Sequence, residues 1–275
     1  MKHRPIPSTG EMLPIVGLGT YRGFDVGTDH AVRARLADVV NLALSPGKAM
    51  IDSSPMYGRA EQVTGDILVD RALAGHAFLA TKVWTTGKSQ GIAQMEKSMR
   101  LLRTDKLDLM QVHNLVDVNT HLATLKGWKA EGRVRFVGVT HYHSGAYDEL
   151  EAVIHREKID FVQLNYSLDD RAAEARLLPL AQERGIAIIV NMPFGGGGLL
   201  GRVSDSPLPP FAKDIGATTW AQLLLKFVLG HPAVTVAIPG TGNPQHMGEN
   251  MQASDGDLAA AREQVIAWAK GKSLG

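Results

Sequence analysis

Ala77-Phe-Leu-Ala-Thr-Lys-Val83 and Leu107-Asp-Leu-Met-Gln-Val-His113 are runs of strand length, largely apolar on both faces, and between them Ile92, Met95, Met99 and Leu102 recur at three- and four-residue steps. The flanking runs read as buried strands and the middle as an amphipathic helix. A strand that is apolar on both faces needs cover on both sides, which crossover helices supply in a parallel sheet. The stretch is therefore one βαβ unit.

The same alternation recurs outward in both directions. Further strand candidates are Pro14 to Gly19, Ala49 to Ser53, Val134 to Val139, Ile159 to Leu164, Ile186 to Val190 and Val234 to Ile238. Val32, Leu36, Val39 and Ala43 mark another helix stripe, and Ser89 and Asn119 are the expected N-caps of the third and fourth helices. Eight βα units predict an α/β chain closed into a (β/α)8 TIM barrel. An open doubly wound sheet is the structural alternative. Its Gly-x-Gly-x-x-Gly turn is missing, because Gly17-Leu-Gly-Thr-Tyr-Arg-Gly23 is off by one and no helix follows at once. An N-terminal hairpin (Arg4 to Pro14), a long Gly/Pro-rich loop (Met192 to Gly216) and an extra C-terminal helix (Asp257 to Lys270) complete the map. With no linker or tandem repeat beyond the βα period, residues 1–275 read as a single domain.

Composition narrows the function classes. The chain has 275 residues, 29 Lys plus Arg against 28 Asp plus Glu, and 44% hydrophobic residues, the profile of a soluble globular protein. A net charge of +1 offers no broad cationic field, so neither nucleic acid nor a membrane surface is an expected partner. The absence of cysteine excludes disulfides, a thiol nucleophile and thiolate metal sites. The polar, proline-bearing N-terminus lacks the roughly 7–15 apolar residues of a signal peptide. Gly185 to Leu200 is broken by Asn191, Pro193 and four glycines, too polar for the ~20 apolar residues of a membrane span. A cytoplasmic chain with a small-molecule partner is expected, and no oligomeric state is assigned.

In a βα barrel the side chains that finish the strands point into the mouth where ligands bind. Asp52, Lys82 and His113 end or nearly end apolar runs, and Tyr57 lies in the loop after Asp52. Singly, these residues read as a turn cap, a snorkelling lysine, a strand-end histidine and a loop aromatic. Together an acid, a cation, an imidazole and a phenol emerge at one rim, which is the mark of a site. The set suits proton transfer to a carbonyl oxygen. A free phenol has a pKa near 10, and a neighbouring ammonium is expected to lower it, so Lys82 would make Tyr57 more acidic. Asp52 would keep Lys82 charged, and His113 would donate a hydrogen bond to the substrate oxygen. None of the four donates electrons, so a reduction requires a hydride-carrying cofactor. A second enzymatic reading treats His141 and His143, with His113 and Asp52, as ligands of a metal-dependent hydrolase, but it leaves Lys82 and Tyr57 without roles, and no metal is expected.

Gly17-Leu-Gly-Thr-Tyr21, Ile51-Asp-Ser-Ser-Pro-Met-Tyr-Gly58, Ala80-Thr-Lys-Val-Trp84, Asp108-Leu-Met-Gln-Val-His113, Val162-Gln-Leu-Asn-Tyr-Ser167 and Ile238-Pro-Gly240, continuing to Glu249-Asn250, follow one another in order. By these pieces the chain resembles the aldo-keto reductases over essentially its whole length. The resemblance implies an NAD(P)H-dependent oxidoreductase that reduces aldehyde or ketone carbonyls to alcohols. It casts Tyr57 as general acid/base, Lys82 and Asp52 as the groups that tune it, and His113 as the residue orienting the carbonyl. It also implies a dinucleotide bound in extended form at the mouth without a Rossmann turn. The implied cofactor contacts are Gly19, Thr20, Tyr21, Asp52, Thr140, His141, Gln163, Asn191, Pro193, Phe194, Gly195, Ile238, Gly240, Thr241, His246, Glu249 and Asn250. The implied substrate contacts are Tyr21, Trp84 and Asn114.

The chain departs from the family pattern in three places. Thr140-His141 stands where many members have Ser-Asn, and Phe194 is the nearest aromatic for stacking on the nicotinamide. Gly240 and His246 replace cations that would clasp a 2′-phosphate, removing charge-assisted bonds. NADP(H) is placed ahead of NAD(H). These altered contacts and the Gly195 to Gly198 loop motivate the alternative of a cofactor-binding regulatory or partner-binding barrel with little turnover.

Overall fold

The structure is a computed structural model that describes residues 1–270. A short antiparallel hairpin, β1 (His3–Pro5) and β2 (Met12–Pro14), precedes the barrel. Eight parallel strands follow: β3 (Leu18–Gly19), β4 (Ala49–Asp52), β5 (Ala77–Val83), β6 (Leu107–His113), β7 (Val134–Thr140), β8 (Phe161–Asn165), β9 (Ala187–Asn191) and β10 (Val234–Ala237). They are hydrogen-bonded in sequence order from β3 to β10. Bridges from Val16 to Ala237 and from Gly19 to Gly240 join the two outer strands, so the sheet closes on itself. The closure depends on glycine: a Cβ on Gly17 would come within 2.7 Å of the Met50 carbonyl oxygen, and one on Gly19 within 2.7 Å of that of Ile238.

The helices are α1 (His30–Leu44), α2 (Ala60–Asp70), α3 (Lys88–Leu101), α4 (Val118–Ala130), α5 (Tyr147–Arg156), α6 (Leu177–Arg184), α7 (Gly198–Val203), α8 (Trp220–Leu229), α9 (Pro244–Gln252) and α10 (Leu258–Ala269). Their apolar stripes and the outward strand faces form one core shell. A second core fills the barrel interior, where Phe78, Phe136 and Phe161 meet at ring distances of 5.5 to 6.0 Å and Ile6 and Leu13 of the hairpin close the floor. Among the described residues no helix is long and apolar enough to cross a membrane.

Four expectations change. The first strand run, Pro14 to Gly19, is divided: Pro14 ends the hairpin and only Leu18–Gly19 is barrel strand, with Ile15 to Gly17 forming the seam against Ala237. Ser89 lies inside α3, which starts at Lys88 after Gly87, whose φ of +84° only glycine adopts freely. Asn119 lies inside α4, and the N-cap position belongs to Asp117, whose carboxylate accepts from the Gly87 amide at 2.7 Å and so ties two mouth loops together. The Met192 to Gly216 segment is not all loop, because burial of Leu199 and Val203 organises α7 within it. The other strands fall within two residues of their expected limits, and the last helix, expected from Asp257 to Lys270, runs from Leu258 to Ala269 with Asp257 as its N-cap.

Candidate active site

Alternation along the strands builds the site. Phe78 and Ala80 of β5 face the barrel interior, so Lys82, two residues on, faces the same way higher up. On β6, Leu109 lies in that interior and Gln111 and His113 follow at the same parity. On β4, Met50 is succeeded by Asp52. Register then sets a polar layer across the mouth, with Lys82 opposite Gln111, His113 opposite Thr140, and Thr140 opposite Gln163.

Lys82 Nζ donates to Asp52 Oδ2 at 2.6 Å and to the Ser53 carbonyl at 2.7 Å, with 1% of the lysine side chain exposed. The second carboxylate oxygen of Asp52 accepts from Gln111 Nε2 at 3.3 Å, and Thr20 Oγ1 donates to the Asp52 carbonyl at 3.0 Å. Tyr57 projects over this pair from the loop before α2, its ring centroid 5.2 Å from Lys82 Nζ and 4.9 Å from the ring of Tyr21. That loop is pinned by Asp25, which accepts from the Arg59 amide at 3.0 Å, and by Gly58 at φ +60°, where a Cβ would strike the Asp25 carboxylate. His113 stands edge-on to Tyr57 with centroids 6.2 Å apart, and its Nδ1 pairs with Ser54 Oγ at 3.2 Å.

Burial alone would drive the proton from Lys82, but Asp52 and Tyr57 carry its pKa above the ordinary lysine value. The ammonium is thus held charged in a dry pocket. For Tyr57 burial is the largest influence and pushes the phenol up, Lys82 pulls it down, and Asp52 pushes it up again, leaving it above the ordinary value. The expectation that Lys82 makes the phenol more acidic than a free one is therefore corrected: desolvation outweighs the ammonium. Burial, then Lys82, then His141 press His113 down to about 3, so its imidazole is neutral at physiological pH.

The other expected residues divide into groups. Gly19 and Ile238 lie buried at the seam, and Thr20 lies buried beside Asp52. Gly240 packs against Gly19 and Thr241 against Gly23. Tyr21 and Trp84 are 54% and 42% exposed at the rim, and the Trp84 ring lies 6.4 Å from that of His113. Thr140, His141 and Gln163 are buried on the far side, while Asn191 is half-buried. Gln163 Nε2, Asn191 Oδ1 and Asn114 Oδ1 are buried without a hydrogen-bond partner. Asn114 is held at φ +52°, followed by Leu115 at +56° and Asp117 at +48°, left-handed values that Asn and Asp tolerate and that cost Leu115. Pro193 is buried, and Phe194 and Gly195 are half-buried at the start of the glycine segment. His246 is exposed, Glu249 half-buried and Asn250 buried, all on α9 and outside the contacts of the four mouth residues. His141 and His143 meet at 4.4 Å, but among the described residues no group of three or more His, Asp or Glu side chains is placed to hold a metal.

Sequence reasoning missed Ser54 as the partner of His113 and Gln111 as the partner of Asp52. Gln111 shares strand parity with His113 and was within reach of that argument, whereas Ser54 lies in a loop with no period. Also unforeseen is Gln94 of α3, which accepts from the Trp84 amide at 2.6 Å and donates to the Trp84 carbonyl at 3.1 Å, fixing that residue at the rim.

Comparison with known proteins bears on the fold and the family. The methylglyoxal reductase YeaE of Escherichia coli is 28% identical over 275 residues, covering 97% of this chain and 94% of its own. An aldo/keto reductase of Klebsiella pneumoniae, solved in complex with NADP and acetate, superposes with a TM-score of 0.77 at 27% identity, covering 94% of this chain and 93% of its own. A Klebsiella pneumoniae aldo-keto reductase in complex with NADPH gives 0.78 at 26% identity, covering 97% and 96%. The model of the Aldo/keto reductase family matches residues 15–266, and the chain belongs to that family.

Proposed function

We propose that the chain, acting as one barrel domain, reduces aldehyde or ketone carbonyls to alcohols with Tyr57 as proton donor. The observation that carries this is the Lys82–Asp52 pair, buried at 2.6 Å beneath the Tyr57 ring. A desolvated charge pair is expensive to build, and this one is directed at a phenol on the cavity rim.

Burial keeps the Tyr57 proton in place at neutral pH, so the hydroxyl enters the reaction as an acid. As the carbonyl oxygen gains negative charge, that proton passes from the phenol oxygen to the carbonyl oxygen. Lys82 then stabilises the phenolate that remains, and Asp52, anchored by Gln111, keeps the ammonium charged and aimed. His113, neutral, directs a ring N–H at the same carbonyl oxygen and sets its position.

The mouth fits a nicotinamide dinucleotide. A carboxamide carries both an acceptor and a donor, which would satisfy the unmet Gln163 Nε2 and Asn191 Oδ1. When bound, the dinucleotide supplies the hydride that none of the side chains can supply. Thr20, Asp52, Thr140, His141, Gln163 and Asn191 would hold its nicotinamide end, with Phe194 the aromatic nearest for stacking on the ring, and Thr241, His246, Glu249 and Asn250 would hold its adenine end. NADP(H) is placed ahead of NAD(H), a preference supported by the two relatives solved with NADP or NADPH.

Among the described residues, five of the eight large apolar side chains that are most exposed, Tyr21, Met56, Trp84, Tyr142 and Met192, lie in loops leaving the C-terminal ends of barrel strands. They form an apolar collar, within which Tyr21 and Trp84, with the amide of Asn114, take the organic carbonyl substrate. The decisive experiment follows NADPH absorbance with a small aldehyde for wild type and Tyr57→Phe. Loss of the acid should reduce turnover by about 10²- to 10⁴-fold with the fold intact, and equal rates would remove Tyr57 from this role.

A further inference from the structure

Ser54 is fully buried in the loop between Asp52 and Tyr57 and does two things there. Its carbonyl accepts from the Tyr57 amide at 3.0 Å, and its Oγ pairs with His113 Nδ1 at 3.2 Å. The same residue therefore ties the phenol loop to the imidazole.

A neutral imidazole has one N–H and one bare nitrogen, and a hydroxyl has one proton to give. If Nδ1 carried the imidazole proton, Ser54 Oγ would accept it and the serine's own proton would be buried without an acceptor. Such an unmet donor is costly. If Nδ1 is bare, the serine hydroxyl donates to it and both groups are satisfied. The imidazole proton then lies on Nε2, on the side of the ring away from Ser54.

We propose that Ser54 is a positioning residue that fixes His113 as the Nε2–H tautomer, so that the ring presents a donor rather than an acceptor to the carbonyl oxygen. The catalytic consequence rests on the proton-donor role proposed for Tyr57; the tautomer itself does not. It gives a physical reason for a hydroxyl at this position, since alanine would pack in its place but leave the ring free to hold its proton on either nitrogen.

The test uses the full-length protein labelled with ¹⁵N-histidine and a two-bond ¹H–¹⁵N correlation spectrum. The His113 signals, one set among ten histidines, are assigned by their loss in His113→Gln. The wild type should show a pyridine-type shift at Nδ1 and a pyrrole-type shift at Nε2. In Ser54→Ala the two shifts should move toward each other as tautomers mix, and kcat for carbonyl reduction should fall by about fivefold, the worth of one neutral hydrogen bond. NADPH affinity, read by tryptophan fluorescence, should stay unchanged. Ser54→Thr, which keeps the hydroxyl, should restore the spectrum and the rate. If Ser54→Ala does not fold, Ser54→Cys, whose thiol is a weaker donor, makes the same comparison. A protonated Nδ1 in wild type, or an unaltered tautomer when the hydroxyl is removed, overturns the proposal. Tyr57→Phe in the same assay separates the two claims: if it turns over normally while the spectra behave as expected, the acid role fails and the tautomer assignment survives.

Discussion

The two ends of the barrel use the same residue types to opposite effect. At the floor, Asp108 accepts from Lys48 at 2.8 Å, from Arg135 at 2.5 Å and from the Leu79 amide at 2.8 Å, and Arg135 also pairs with Glu11. A cavity of about 410 Å³ opens there, yet Glu11, Lys48, Asp108 and Arg135 in its wall satisfy one another, and none of their side-chain atoms is a buried group without a partner. At the mouth, Lys82 and Asp52 are far drier, and Gln111, Asn114, Gln163 and Asn191 each keep one buried polar atom without a partner. Open space does not mark the ligand end. Unmet hydrogen-bonding capacity around a desolvated charge does, because those are the groups whose free energy a ligand improves.

Removing the cation from the mouth should produce the largest effect. Lys82→Met leaves Asp52 buried without its counter-ion, which should cost about 3–5 kcal/mol of stability and suppress carbonyl reduction in the fraction that remains folded. Denaturant titration and NADPH turnover measure both. A change below about 1 kcal/mol, the range of exposed pairs, would place the mouth pair with those of the floor and dissolve the distinction between the ends.

The difference between the ends also decides what the sequence could tell. Eight apolar runs separated by helical stripes made the barrel legible, since burial on both faces leaves a continuous apolar signature. The same runs made Asp52, Lys82 and His113 conspicuous as polar residues finishing strands. Where the signal failed, the cause was local. The start of α4 was read at Asn119, yet Asp117 precedes the helix in a left-handed conformation and spends its carboxylate on the Gly87 amide, a contact between distant loops that no spacing encodes. The direction of the Tyr57 shift was misjudged because neighbour charges can be inferred from strand order, whereas the depth of burial that outweighs them cannot. Ser54 lies in a loop whose course is set by Gly58 and Asp25, so its contact with His113 exists only in three dimensions.

Dryness at the mouth has a consequence in acid. An unfolded chain protonates a histidine near pH 6.5, while folded His113 waits until about 3. Between those values the unfolded state binds the extra proton, so native stability falls as the pH drops, and the penalty from this group is absent above the unfolded pKa. The loss should reach about 2 kcal/mol near pH 4.5, allowing for partial contact with solvent. Comparing denaturant midpoints at pH 7.5 and 4.5 in wild type and His113→Gln isolates it. An equal acid shift in both proteins would mean that the ring is solvated and that the mouth is no drier than the floor.

The smallest effect belongs to the floor, where it sharpens the contrast. Lys48 is 39% exposed, and its ammonium shares Asp108 with Arg135 and a backbone amide. Deleting it in Lys48→Ala strands nothing, because the carboxylate keeps its other two donors and water reaches the gap. What is lost is one partly solvated ion pair, offset by the side-chain entropy recovered when a long lysine is no longer held. The expected cost is under about 1 kcal/mol, with carbonyl reduction unchanged. Denaturant titration at low and high salt measures it, and the difference between wild type and variant should shrink as salt screens the pair. A loss as large as that of Lys82→Met would require Asp108 to depend on Lys48 as Asp52 depends on Lys82. The carboxylate's three donors at the floor argue against this, for the charge there is shared among several partners and water, whereas at the mouth a single ammonium balances it.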